Sequence, residues 1–229
     1  MISVVVPTMW KYAPFVKFIQ NLERVDIISE IIIIDNNHAE CPKYLPFNTG
    51  KVKMFWGDSN TFVNPAWNFG VENSMNDNVC IINDDVIVDF KLFYMMDSLM
   101  TSDANFGTAG ICPGELNFEQ PQFVDGSIDI VPWQQDVHTS STMGTRFGFG
   151  TLYFVKKSSW ITIPHEMKVY YGDDWVFETQ LKQHKQNYLI TNCLFHTPYA
   201  QTCSLFPQER INELMAQDGE IYFSRINTL

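Results

Sequence analysis

The sequence has few basic residues and no long hydrophobic segment. Its 15 Lys and Arg residues stand against 26 Asp and Glu residues, a formal net charge of −11. Non-specific binding to nucleic acid or anionic lipid needs a basic surface, so the composition argues against both kinds of partner. No apolar segment approaches the roughly 20 residues that span a bilayer, and no cationic segment precedes the short apolar N-terminus. We therefore expect a soluble, cytoplasmic protein.

Paired cysteines and a dinucleotide-binding loop are also missing. The five cysteines are scattered, and none forms a Cys-x-x-Cys pair, which favours reduced thiols over a disulfide framework or a zinc ribbon. No Gly-x-Gly-x-x-Gly follows the first predicted strand, which argues against NAD chemistry. The cysteines are Cys41, Cys80, Cys112, Cys193 and Cys203.

The residues that are present predict an α/β fold. A hydrophobic content of 45% and an aromatic content of 14% indicate a globular chain. Apolar β-branched runs alternate with segments of helical spacing, the pattern of a doubly wound parallel sheet. Asn64 and Pro65 predict the cap and the first position of one helix. The predicted strands cover 2–6, 30–34, 52–56 and 79–83, with Pro7 ending the first; the helices cover 12–23, 64–75 and 89–100.

The second half of the sequence is more irregular. Residues 113–145 are rich in Pro, Gly, Gln, Ser and Thr, and loops of this length often carry function. Trp133 within it could stack on a ligand or pack under the loop. Strands are predicted at 106–112, 148–155 and 188–191, a helix at 170–183, and at 207–227 a terminal helix or a helix pair interrupted at Gly219.

The segment 79–86 carries the most specific chemical signal. A buried-type strand ends abruptly at Asn83, Asp84 and Asp85. Ligands of parallel sheets bind beyond the carboxyl ends of the strands. Adjacent carboxylates there suit a divalent cation that also holds a diphosphate, because such sites combine one or two carboxylates with substrate phosphates. The alternative is a solvated acidic turn.

Two further elements could join this turn. Asp173 and Asp174 stand at a predicted helix start, where one carboxylate could act as a general base or merely cap the helix. His196 follows the apolar residues Leu194 and Phe195, so it is either a core histidine or a ligand of a cation also held by Asp85.

The order of the motifs resembles the GT-A glycosyltransferases, and among them the family-2 enzymes. Each motif is loose alone, but six occur in the family's order between residue 2 and about residue 200. They are Ile2–Thr8, Glu30–Asn36, Asn64–Gly70, Ile82–Asp85, Gly148–Lys157 with its Gly-x-Gly start, and Gly172–Asp174.

The resemblance implies a single GT-A domain: a mostly parallel sheet with a smaller antiparallel acceptor-side portion and a C-terminal helix. Its nucleotide-binding half would be 1–105, its acceptor and catalytic half 106–206, and its terminal helical segment 207–229. A nucleotide-sugar donor, a UDP-sugar in the first instance, would bind with Mn²⁺ or Mg²⁺. Pro7, Thr8, Asp35 and Asn68 would surround the nucleoside, Asp84 the ribose or sugar, and Gly148 and Gly150 the sugar pocket.

The resemblance also implies catalytic roles. Asp85 would be the last acid of the DXD motif and would bind the metal together with His196 and Asn83. Asp174 would deprotonate the acceptor hydroxyl in an inverting transfer. The sequence departs from the family at three places: Asn83 replaces the first DXD acid, Asp-Asn-Asn follows the second strand, and Gly-Asp-Asp replaces Gly-Glu-Asp. The last change leaves Asp173 as an alternative base.

Alternatives stay open on both function and acceptor. An inactive nucleotide-sugar-binding module would keep the same fold, and a nucleotidyltransferase would need a basic, glycine-rich loop that Pro7–Lys11 lacks. The acceptor could be a glycan, a lipid-linked sugar or a modified DNA base of a phage; duplex DNA would need basic residues to cluster. The candidates for such a cluster are Lys156, Lys157, Lys182 and Lys185. The sequence does not fix the oligomeric state.

Overall fold

Strands and helices alternate along the first half of the chain, as the sequence predicts. The computed structural model describes residues 1–47, 50–111, 128–134, 149–197 and 206–229. Its strands are β1 (Ile2–Thr8), β2 (Ile28–Asp35), β3 (Val52–Trp56), β4 (Asn78–Ile82), β5 (Ile87–Val88), β6 (Phe106–Ile111), β7 (Asp129–Pro132), β8 (Leu152–Lys156), β9 (Gln186–Thr191) and β10 (Phe195–His196). Its helices are α1 (Phe15–Leu22), α2 (Val63–Asn73), α3 (Lys91–Ser102), α4 (Gly172–Lys182) and α5 (Gln208–Arg225).

The strands of the described residues form one large sheet and one small one. The large sheet has the order β3-β2-β1-β4-β8-β6-β9-β7, and the small sheet pairs β10 with β5. β8 and β7 run antiparallel to their neighbours, and every other pairing in the large sheet is parallel. This confirms a doubly wound, mostly parallel sheet with an antiparallel portion contributed by the second half of the chain.

Successive residues of the central strands feed two separate cores, one on each face of the sheet. In β2, Ile31 and Ile33 pack with α1 and α3 on one face, whereas Ile32 and Ile34 pack with α2 and α4 on the other. All of these side chains are buried, because helices cover both faces. The apolar runs of the sequence therefore mark strands in the middle of a three-layer fold.

Two predicted boundaries are corrected by the pairing pattern. β1 runs through Pro7 to Thr8, although Pro7 is predicted to end it. Proline has no N–H to donate, and the β1–β4 ladder ends at Val5, so Pro7 lies where only the β2 side is paired. Residues 129–132, predicted as loop, form β7, which pairs with β9 at the edge of the sheet; 112–127 and 135–148 lie outside the described residues.

Two predictions about helix ends, at Asn64 and at Gly219, are also wrong. α2 begins before Asn64, its N-cap is Phe62, and Asn64 Nδ2 instead donates to the Tyr170 carbonyl oxygen at 3.1 Å. α5 continues without interruption through Gly219. A Cβ at Gly219 would lie 3.1 Å from the Tyr171 ring, so this glycine permits close packing and does not end the helix.

Two smaller expectations concern Trp133 and the membrane. The Trp133 ring packs edge-on against Phe177, with the ring centroids 5.1 Å apart. Of the two roles considered for Trp133, stacking on a ligand or packing under the loop, this contact is packing. Within the part of the chain that the structure describes, no helix combines the length and the apolar character needed to cross a bilayer.

Candidate active site at the carboxyl ends of the strands

The carboxyl ends of β1, β2 and β4 bring their polar residues together, as the sequence predicts. Thr8 is paired with Asp35 in the ladder between β1 and β2. Across the sheet in the other direction, Thr8 Oγ1 donates a 2.6 Å hydrogen bond to Asp84 Oδ2. The Met9 N–H lies 3.3 Å from the same oxygen. Exits that are far apart in sequence thus share one edge of the sheet.

Asp84 and Asp85 form a buried carboxylate pair. Each residue is 8% exposed. Burial and, to a lesser degree, the neighbouring charge of Asp84 raise the pKa of Asp85 to about 6. Burial also raises the pKa of Asp84, against the hydrogen bonds from Thr8 and Met9. Two acids in this position gain strongly from a cation between or beside them.

The small sheet brings His196 to this pair. β10 pairs with β5 so that His196 lies opposite Ile87, two residues after Asp85. The next residue, Thr197, is buried, and its side chain hydrogen-bonds to Asp85. His196 Nδ1 is buried and has no hydrogen-bond partner among the described residues. His196 therefore directly precedes the residue that binds Asp85, and one of its ring nitrogens has no partner among the described residues.

The turn before β8 joins Asp173 to the same edge. The Asn83 N–H donates to the Thr151 carbonyl oxygen at 3.0 Å. In the same turn the Gly150 N–H donates to Asp173 Oδ2 at 3.0 Å. A Cβ at Gly150 would lie 3.4 Å from that oxygen, an ordinary contact distance, so the backbone N–H and not the lack of a side chain makes this contact. Asn83 and Asp173, 90 positions apart, are thus linked through one short turn.

Asp174 follows Asp173 in the first turn of α4 and is almost fully buried. The loop that leads into α4 is held by a residue from α5. Asp218 is fully buried, and its Oδ2 accepts the N–H groups of Val169 and Tyr170 at 2.7 and 2.8 Å. Its Oδ1 accepts the N–H of Lys168 at 2.9 Å. Asp218 therefore fixes the approach to the helix start that carries both acids.

Asp35 has its own set of partners at the end of β2. Its Oδ1 accepts hydrogen bonds from Trp10 Nε1 at 2.8 Å and from the Asn37 N–H at 3.0 Å. Its Oδ2 lies 2.7 Å from His38 Nδ1. The His38 ring stacks on Trp56, with centroids 5.3 Å apart. Asp35 is therefore tightly oriented.

Two predicted donor residues have other surroundings. Asn68 is buried in α2; its Oδ1 accepts the Ile163 N–H at 2.9 Å and its Nδ2 donates to the Ile163 carbonyl oxygen at 2.8 Å. These bonds give Asn68 a packing role, and its place beside a nucleoside stays a prediction. Gly148 lies outside the described residues.

The donor set at Asp85 fits a hard divalent cation. The residue types there are the oxygens of Asp85 and the amide of Asn83, with His196 on the strand that pairs just after Asp85, and a cation would favour the charged form of Asp85 that burial disfavours. The structure thus places Thr8, Asp35, Asp84, Gly150 and Asp173 along one edge of the sheet, and the strand pairing brings the backbone of His196 to the segment that follows Asp85.

Sequence reasoning missed several residues that orient this edge. Trp10, Thr197 and Asp218 are each isolated in sequence from the acid that they bind or the loop that they hold. Tyr12 was missed as well: burial raises its pKa, and Asp85 contributes. The backbone of Trp10 has a positive φ of 60°, which marks an unusual position in the structure but cannot be recognised in the sequence.

Comparisons with known proteins identify the fold. No family model matches the chain, and no curated protein matches it. The structure resembles S. aureus TarS 1–349 with a TM-score of 0.59 and 12% identity, over 99% of this chain and 73% of that one. TarS 1–349 in complex with UDP gives a TM-score of 0.58 at 12% identity, over 86% of this chain and 60% of that one.

A second similar structure is GalNAc-T7 with UDP, GalNAc and Mn²⁺. It gives a TM-score of 0.62 at 11% identity, over 86% of this chain and 43% of that one. TarS and GalNAc-T7 are both GT-A glycosyltransferases. The fold that the motifs imply is therefore confirmed: the chain has the GT-A fold, with its antiparallel portion and its C-terminal helix.

Proposed function

We propose that this GT-A chain is a metal-dependent, inverting glycosyltransferase that moves a sugar from a nucleotide-diphosphate sugar to an acceptor hydroxyl. Two contacts carry this proposal: the pairing of β10 with β5, which holds Thr197 against Asp85 and places His196 next to it in the strand, and the turn before β8, which binds Asp173. Similarity at 11–12% identity supports the fold alone, so the chemistry rests on these residues. TarS bound to UDP and to UDP-GlcNAc makes a UDP-sugar the first donor to test.

The donor's nucleotide would lie across the ends of β1 and β2. Pro7 and Thr8 end β1. Asp35 lies opposite Thr8, and one of its carboxylate oxygens accepts a hydrogen bond from Trp10. The Thr8 hydroxyl holds Asp84, which would keep that carboxylate beside the ribose or sugar. The turn containing Gly150, and Gly148 with it, would border the sugar, because this turn binds Asp173 through the Gly150 N–H.

Asp85, His196 and Asn83 would hold Mn²⁺ or Mg²⁺. When bound, the cation supplies Lewis-acid neutralisation of the diphosphate leaving group. Thr197 would keep the Asp85 carboxylate oriented through its hydrogen bond. The buried position of the pair reduces screening by water, so the attraction between these acids and a cation would be stronger than at an exposed site.

A carboxylate at the start of α4 would remove the acceptor proton. The bond between the acceptor oxygen and the anomeric carbon forms as the bond from that carbon to the diphosphate breaks, and the proton passes to the carboxylate. Attack from the face opposite the diphosphate inverts the anomeric centre. Asp174 is the proposed base, with Asp173 as the alternative, and Asp218 would hold the loop before them in place.

UDP release provides the first test. The full chain is incubated with a panel of UDP-hexoses and UDP-pentoses and with Mn²⁺ or Mg²⁺, and UDP is measured with and without candidate acceptors. Asp85→Ala is expected to abolish metal-dependent release. Asp174→Asn is expected to lower kcat by about 10²–10⁴-fold with little change in KM, because general-base catalysis is typically worth this much.

Matched variants make the test specific. Asp173→Asn identifies the base by comparison, since only the base should lose kcat at an unchanged KM. Asp26→Asn removes an exposed carboxylate just before β2, at the end of that strand opposite to Asp35, and should leave the rate unchanged. Metal-independent nucleotide binding without turnover, for every donor and acceptor tried, would refute the proposal and favour a binding module. The acceptor, the sugar and a cytoplasmic location stay predictions.

A further inference from the structure

A second group of metal-ligand side chains lies just after β2. Asp35, His38 and Cys41 occur at intervals of three residues, and one ligand atom from each lies within 4.8 Å of the other two. This group, the β2-exit cluster, shares no residue with the proposed Mn²⁺ or Mg²⁺ site. It combines carboxylate, imidazole and thiol, and the catalytic proposal gives no role to His38 or Cys41.

The cluster is oriented by neighbours that are not ligands. The Asp35 side chain is fully buried, and its Oδ1 is fixed by Trp10 Nε1 at 2.8 Å and by the Asn37 N–H at 3.0 Å. Its Oδ2 lies 2.7 Å from His38 Nδ1. The His38 ring lies flat on Trp56, at an interplanar angle of 15°. Hydrogen bonds and packing of this kind set the direction of metal ligands before the metal arrives.

The donor chemistry selects the ion. A thiol and an imidazole favour a borderline-soft cation, whereas Mg²⁺ and Ca²⁺ prefer oxygen ligands alone. Tetrahedral Zn²⁺ with bonds of about 2.0–2.3 Å needs its ligand atoms roughly 3.3–3.8 Å apart. The ligand atoms of the cluster lie within 4.8 Å of one another, so shifts of about 1 Å, including separation of Asp35 Oδ2 from His38 Nδ1, would give that spacing. The His38 side chain is 58% exposed, so solvent can reach the site.

We propose that Asp35, His38 and Cys41 bind a zinc ion whose fourth ligand is water. Binding replaces the hydrogen bond between Asp35 and His38 with two metal–ligand bonds, and it releases the Cys41 thiol proton to solvent. Asp35 also lies beside the nucleoside in the proposed function. Zinc and the donor would therefore compete for it, a consequence that depends on the proposed function, whereas zinc binding itself does not.

Cobalt substitution tests the site directly. Co²⁺ takes the same ligands as Zn²⁺ and absorbs visibly, and a thiolate ligand adds a charge-transfer band in the near ultraviolet. The reduced full chain is titrated with Co²⁺, and Zn²⁺ is then added to displace it. One equivalent with a charge-transfer band, displaced by Zn²⁺, is expected. Cys41→Ser should abolish the band, and His38→Gln should weaken Co²⁺ binding at least tenfold.

Control variants separate this site from others. His165→Gln removes an exposed histidine outside the cluster and should change neither the charge-transfer band nor the affinity for Co²⁺. The double variant Asp85→Asn/His196→Gln removes the proposed catalytic ligands and should keep the band. Trp10→Phe removes the hydrogen bond to Asp35 and keeps an aromatic ring to pack on Phe15, and it should weaken binding by roughly 10-fold. Circular dichroism confirms that each variant is folded.

Two outcomes would overturn the site: no thiolate band in the unaltered chain, or a band that survives in folded Cys41→Ser and so belongs to another cysteine. Donor competition is measured separately, as UDP binding with Mn²⁺ present and with or without one equivalent of Zn²⁺. Weaker UDP binding with Zn²⁺, absent in Cys41→Ser, supports the competition. Unchanged UDP binding with zinc bound would show that Asp35 does not contact the nucleoside, and zinc binding would still stand.

Discussion

Replacing Asp85 with asparagine should stabilise the metal-free protein at neutral pH. Asp85 is buried beside Asp84, and its pKa is raised, chiefly by burial, to about 6 from the value of 3.8 of an unperturbed aspartate. Because the folded-state pKa lies above the unfolded value, the folded protein binds more protons than the unfolded chain between about pH 4 and pH 6. The free energy of unfolding therefore falls as the pH rises through this range.

The size of this change in the free energy of unfolding follows from the pKa shift of Asp85. A difference of roughly two pKa units corresponds to about 3 kcal/mol, so the charged Asp85 lowers the free energy of unfolding by on the order of 2–3 kcal/mol above pH 6. The substituted asparagine side chain would carry no charge at any pH, and its amide oxygen could still accept the hydrogen bond from Thr197. The pH-independent consequences of the new amide cancel when the same pair of proteins is compared at two pH values.

Urea unfolding in EDTA, at pH 4 and pH 7.5, measures this quantity. The advantage of Asp85→Asn over the unaltered protein should be larger at pH 7.5 by about 2–3 kcal/mol. Asp58→Asn, at an exposed carboxylate, should show no comparable change. An advantage of Asp85→Asn that is equal at both pH values, or larger at pH 4, would refute the reasoning that the carboxylate pair is a buried, uncompensated charge.

Two further predictions concern residues that hold the start of α4. Asp218→Ala leaves three backbone N–H groups of residues 168–170 without their acceptor and should lower the free energy of unfolding by about 2–5 kcal/mol in urea melts; an effect below about 0.5 kcal/mol would contradict the assigned role. Gly172→Ala would push a methyl group into the Asn64 side chain and should destabilise by about 1–3 kcal/mol. Gly57→Ala, whose new methyl group would lie no closer than 3.7 Å to another atom, is the control and should change little; equal effects of the two substitutions would refute the steric argument.

The sheet could be predicted because its signal is local. Residues Ile31–Ile34 are apolar in succession, and such a run has few explanations besides a strand covered on both faces. The polar residues at the strand ends then follow from the rule that parallel strands end at the same edge. The edge strand β7 escaped prediction because four residues, two of them Asp129 and Pro132, carry too little pattern.

The support of the site could not be predicted, because it depends on contacts between distant residues. Nothing in the surroundings of Asp218 in sequence shows that it binds a loop some 50 positions earlier. Thr197 is likewise an ordinary residue until β10 pairs with β5 and places it at Asp85. Asn64 shows the opposite error: a good helix cap by sequence was used in a tertiary contact instead.

The position of β8 limits how this protein could be recombined. This strand comes from the second half of the chain, yet it lies directly against β4 and separates it from β6. A chimera that exchanges everything after residue 105 would set a strand of another protein between β4 and the rest of the sheet, and its side chains would have to fit both cores beside β4. Segment exchanges with other GT-A chains should therefore keep residues 152–156 with the parent that supplies β4, and exchange only the segments around them.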